Sequence, residues 1–237
     1  MDSQLNTCGY FGKLPIRGDF IQRNLSTEFI DMWDQWLQTV ISASQKTLND
    51  QWLNTYLVSP IWRFFLSLES GEHYTGIMLP SVDKVGRYFP FTIAMRIAKE
   101  HNVIDFIVEQ ETWYQQAENI AIQALEENID FDQLNQAIDN LRIIDNNDHG
   151  KVFQNKSKAF HVELTNNSLD IAIARIQSKI GTNISSKAMS YWWTTAENGI
   201  NGNLVAYLGM PDDNIYVAML DGQWQLCHIN HLDTERV

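Results

Sequence analysis

The chain has 237 residues, 44% of them hydrophobic and 19% charged, which excludes a disordered polypeptide and leaves room for a substantial core. No apolar run approaches the roughly 20 residues a bilayer-spanning helix needs. The net charge of -12 is concentrated between Glu100 and Asp148, where twelve acids face the single base Arg142, so binding of nucleic acid or an anionic membrane through that segment is disfavoured.

In chain order, Met1 to Thr7 is polar and lacks an apolar h-region, which predicts no secretory signal and a cytoplasmic location. Cys8 and Cys227 cannot form a disulfide framework for a chain this long, and both are expected to be reduced. Gly9 to Phe20 packs glycines, a proline, aromatics and charges into one short stretch, which reads as a strand followed by a shaped loop. That loop either turns the chain structurally or presents Lys13, Arg17 and Asp19 for binding. Leu14 after Gly12-Lys13 rules out a phosphate-cradling loop, and the glycine spacing fails the dinucleotide pattern. Arg17-Gly18-Asp19 is read as a chance match to an adhesion tripeptide.

Ser26 is a predicted N-cap, with Leu25 and Ile30 at staple spacing. Phe29, Trp33, Trp36, Leu37, Val40, Ile41 and Leu48 then fall on one helical face, read as core. Asn49 or Asp50 is expected to cap a short helix carrying Trp52 and Tyr56, which ends before Ser59-Pro60. Ile61 to Leu68 reads as a strand, with Trp62, Phe64, Leu66 and Leu68 on one face and Arg63 among apolar neighbours on the other. An unpaired buried guanidinium costs several kcal/mol, so Arg63 is expected to meet Asp19 or Asp83. Tyr74 to Leu79 and Phe91 to Ile97 complete an antiparallel meander, joined by the connection Pro80 to Pro90, which carries Asp83 and Arg87.

Val103 to Glu127 reads as one acidic helix, followed by a second that Asp130 caps, the two forming a hairpin on one side of the sheet. Their carboxylates, Glu109, Glu118, Glu126, Glu127, Asp132 and Asp139, form either a solvated face or a docking face for a basic partner. Asn146 to Ser157 reads as a loop, Phe160 to Leu164 as a strand, Ser168 as the cap of a helix, and Ser190 to Thr194 as a central strand. Asn198-Gly199 and Asn201-Gly202 read as loop signals, and a helix or strand is expected near Ile215 to Leu220. Nucleophile elbows, zinc-ligand motifs and kinase-type loops are missing, and Cys227-His228 with His231 lacks a second ligand pair, so no catalytic, metal or cofactor site is predicted.

Gly9 to Phe20, Pro60 to Phe64, Pro80 to Pro90 and Ser190 to Thr194, in this order, resemble the TagF (ImpM) family of type VI secretion system-associated proteins, most densely over residues 9–97. The resemblance implies a bacterial cytoplasmic protein that represses type VI secretion after translation by contacting Fha, a scaffold with a forkhead-associated domain. It implies no catalytic residues. Rival readings are a structural or assembly component of the secretion apparatus and an enzyme of unrecognised type. The expected fold is a single α+β domain over residues 1–237, an antiparallel sheet flanked by helices, with residues 158–237 packed on the same core.

Overall fold

The computed structural model describes residues 5–98, 103–143, 159–164, 169, 188–195, 202–227 and 230–231. The β-branched and aromatic runs become β1 (Cys8–Gly12), β2 (Ile21–Arg23), β3 (Trp62–Ser67), β4 (His73–Leu79), β5 (Phe91–Ile97), β6 (Ala159–Leu164), β7 (Met189–Trp193), β8 (Gly202–Leu208) and β9 (Asn230–His231). They form a nine-stranded sheet in the order β2-β1-β5-β4-β3-β7-β8-β6-β9. All pairs are antiparallel except β6 with β9 at one edge. The meander β3-β4-β5 is as its short connections require, and the run Ser190 to Thr194 lies inside the sheet as β7. Because β7 pairs directly with β3, the C-terminal strands extend the N-terminal sheet rather than starting another.

The described helices are α1 (Thr27–Leu48), α2 (Trp52–Leu57), α3 (Val103–Glu109), α4 (Glu111–Ala124), α5 (Phe131–Asp139) and α6 (Asp213–Asp221). Strand alternation divides the core between the two faces of the sheet. Trp62, Phe64 and Leu66 bury against α1, α2 and α6, whereas Phe65, Ile77, Ile93 and Met95 bury against α3, α4 and α5. The result is a helix–sheet–helix sandwich, an α+β fold.

α1 starts where Ser26 accepts a hydrogen bond from the Phe29 amide at 3.2 Å, and a cap of this kind stabilises by about 1 kcal/mol. The tryptophan stripe is core. Trp33 stacks on Phe29 and Trp192 with centroids 5.4 and 5.8 Å apart, and its indole N–H donates to Thr92 Oγ1 at 3.0 Å. Trp36 and Trp62 place their N–H groups on the carbonyls of Pro211 and Met219, so α1, β3 and α6 are joined by polar as well as apolar contacts.

Three expectations change. The segment from Val103 is two helices, not one: at Gln110 the backbone leaves helical geometry (φ -90°, ψ 17°), and both pieces bury aromatics, Phe106 before the break and Trp113 and Tyr114 after it. Neither Asn49 nor Asp50 caps α2; Asn49, at φ 44°, ends α1 instead, and a 3-10 turn over Asn49–Gln51 leads into α2 without a side-chain cap. Gly202, read as part of a loop signal, opens β8, and β2 forms directly after the opening loop, where no strand was expected. The region near Ile215 is helix α6, capped by Asp212. The loop Asn146 to Ser157 and the helix after Ser168 lie outside the described residues, Leu169 apart.

Candidate functional site

The two shaped connections close on each other around a buried ion pair. Leu14 and Lys13 follow β1 into the protein, and the Lys13 ammonium lies 2.7 Å from Asp83 Oδ2, with both side chains almost fully buried. Asp83 is saturated. Its Oδ2 also accepts from Arg87 Nε at 2.6 Å, and its Oδ1 accepts from the amides of Val85 and Arg87 at 3.0 and 2.9 Å. Burial alone would raise this carboxyl, but the Lys13 ammonium, the Arg87 amide and guanidinium and the Val85 amide outweigh it and hold Asp83 well below the usual carboxylate range.

Further bonds lock one loop to the other. Ser81 Oγ donates to the Lys13 carbonyl at 2.7 Å, the Lys84 amide donates to the Arg17 carbonyl at 2.9 Å, and the Arg87 guanidinium donates to the Gly18 carbonyl. Tyr56, from α2, accepts from the Ser81 amide and donates to its carbonyl, both at 3.1 Å. Phe20 covers the pair, with its ring 4.9 Å from the Lys13 ammonium, stacked on Phe11 and edge-on to Phe89. Gly12 is required at φ 138°, since a Cβ there would sit 2.1 Å from the Pro90 carbonyl oxygen.

Arg63 does not belong to this cluster. Neither Asp19 nor Asp83 is its partner: Asp83 is spent on Lys13 and Arg87, and Asp19 is exposed on the loop. Arg63 points into the other helical layer, where Nε and Nη2 donate to Glu118 at 2.6 and 2.9 Å and Nη1 donates to Glu111 at 2.7 Å. The guanidinium also lies 5.4 Å from the ring of Tyr114, whose hydroxyl shares a 2.6 Å hydrogen bond with Thr75. Glu111, Tyr114 and Glu118 fall on one face of α4 because they lie two helical turns apart end to end, and this spacing was the available signal for the pairing.

Several predicted contact residues are therefore withdrawn from the surface. Lys13, Arg63 and Asp83 are buried, which leaves Arg17, Asp19 and Arg87 exposed on the loops. The acidic face is reduced in the same way. Glu118 holds Arg63, and Asp139 makes a two-pronged pair with Arg23 at 2.7 Å, so Glu109, Glu126, Glu127 and Asp132 remain as its exposed members. Arg23, Tyr10, which donates to Asn135 at 3.0 Å, and Arg17, 4.6 Å over the Phe131 ring, tie α5 to the opening strand and loop; no sequence pattern had marked these contacts.

Among the described residues no group of three or more metal-ligating side chains converges, and no helix is long and apolar enough to cross a membrane. The arrangement is a braced surface of fixed loops and charged helices. Residues 9–141 match the model of the TagF N-terminal domain, described as type VI secretion system-associated, and the chain belongs to that family. It is also similar to the crystal structure of PA0076 from Pseudomonas aeruginosa PAO1, at 29% identity and a TM-score of 0.71 over 92% of this chain and 95% of that one. No curated protein matches. The matched segment supplies β1 to β5 and α1 to α5, and the remaining strands complete the same sheet.

Proposed function

We propose that the protein is a non-enzymatic, cytoplasmic regulator that represses type VI secretion after translation by binding the Fha scaffold through the acidic layer of α3 to α5. Membership of a type VI secretion-associated family carries this reading, since it ties the chain to that apparatus. The distribution of charge supports the choice of surface. Lys13, Arg23, Arg63 and Arg87 are each paired with a carboxylate of the same chain, while Glu109, Glu126 and Glu127 stand exposed. A basic surface on the scaffold would meet uncommitted negative charge there, which favours rapid and selective encounter. Neither nucleic acid nor a bilayer takes part.

Repression then works by mass action. Each bound molecule removes one scaffold from the pool available for assembly, so repression scales with the ratio of repressor concentration to dissociation constant. The test is capture of purified Fha scaffold by the wild-type chain, by Glu126→Lys/Glu127→Lys and by Arg17→Glu. The acidic-face variant is expected to lose capture and the loop variant to keep it. Retained capture by both variants rules out both surfaces.

A further inference from the structure

The tip of the β4–β5 connection presents Lys84, Val85, Gly86 and Arg87 together at the surface. It does so rigidly, because Asp83 accepts from the Val85 and Arg87 amides, the Gly86 amide donates to the Asp83 carbonyl at 3.0 Å, and the Asp83 amide donates to the Arg87 carbonyl at 3.0 Å. A fixed tip loses little conformational entropy on docking. The two loops joined here expose apolar and mainly basic groups: Val85 is 68% exposed and Phe20 46%, and Arg17, Lys84 and Arg87 are exposed beside them, with Asp19 the one exposed acid among these loop residues. Exposed apolar groups with charged side chains at their edge match the apolar centre and polar rim of an interface.

Acidic surface begins where this patch ends. The Lys84 amide bonds the Arg17 carbonyl, the Arg17 guanidinium lies over Phe131, and Phe131 opens α5 directly before exposed Asp132. A basic, apolar patch bordered by an acidic one on a single molecule is complementary to itself under a two-fold rotation, because each patch then faces its opposite on the other copy. We propose that this face is a homodimer interface, in which the Lys84–Arg87 tip of each copy docks against the Asp132 end of α5 of the other and covers Phe20 and Val85. The docking segment is a second copy of this chain, chosen because both halves of the charge complementarity are present on it. The proposal does not depend on the scaffold reading, since the purified chain alone is measured.

Sedimentation of the full chain between about 1 and 100 μM, at low and high salt, tests it. A monomer–dimer equilibrium that weakens with salt is expected. Lys84→Glu and Asp132→Lys should each raise the dimer dissociation constant about tenfold or more, since each change breaks two symmetry-related contacts, and the chain carrying both should recover the wild-type constant. A chain that stays monomeric throughout overturns the proposal and leaves the patch to an acidic partner of another kind. A dimer that ignores the single changes, or that the paired change does not restore, also overturns it.

Discussion

Arg63 and Glu118 meet in a two-pronged ion pair, Nε to Oε1 at 2.6 Å and Nη2 to Oε2 at 2.9 Å, which fastens the middle of the sheet to α4. The Arg63 side chain is 1% exposed, so if this pair is broken its charge has no recourse to water and keeps only the half-exposed Glu111 as counter-ion. Glu118→Gln is expected to lower stability in urea unfolding by about 2–4 kcal/mol. Arg63→Met combined with Glu118→Leu should cost less than the two single changes added together, with a coupling of about 2 kcal/mol, because neither charge is then left unmatched. Additive costs would mean that the pair contributes nothing as a pair.

Asp83 makes stability dependent on acid. Its folded carboxyl lies below the ordinary value of about 3.9, so its contribution is complete well above that value and is lost as pH falls through the folded one. Asp83→Asn is expected to cost about 3 kcal/mol at neutral pH, because the buried Lys13 ammonium loses its counter-ion. The variant should also show a shallower loss of stability below about pH 4 than the wild type. Unfolding midpoints measured from pH 7 downwards test both statements, and parallel curves for the two proteins would contradict the second.

The two thiols should differ in reactivity. Burial pushes Cys8 up to about 12, and its Sγ lies 4.0 Å from the Leu141 carbonyl oxygen, whereas Cys227 is only partly buried, although burial and the nearby Asp212 and Asp221 raise it too. A thiol reagent at about pH 8 should therefore modify Cys227 first, and Cys8 at a comparable rate only after denaturation. Rapid modification of Cys8 in the native chain would show that α5 and the segment after it open readily from β1.

Much of the fold was legible in the chain because local pattern and tertiary role agree there. The α1 stripe from Phe29 to Ile41, the Ser26 cap and the alternation in β3 each follow from a single element's own residues. β8 was missed although Leu204, Val205, Ala206, Tyr207 and Leu208 form an apolar run, because the preceding Asn-Gly pairs read as loop. The partner of Arg63 was misassigned for a different reason. The pairing joins β3 to a helix about fifty residues later, and no local rule fixes which carboxylate of an acidic segment turns inward. The same limit hid Arg23 and Asp139, whereas the spacing of Glu111 and Glu118 on one helical face is visible in the sequence, where Glu118 was expected on a solvated or docking face.

A repressor and a working part of the apparatus differ in the direction in which secretion changes when the protein is removed. Deleting its gene from the native host and measuring secreted type VI substrate, with wild-type levels of the apparatus components verified, tests that direction. A repressor that sequesters its scaffold predicts increased secretion on deletion and decreased secretion when the chain is overproduced, with no change in component abundance. Secretion abolished by the deletion would contradict the account and make the protein a working part of the apparatus.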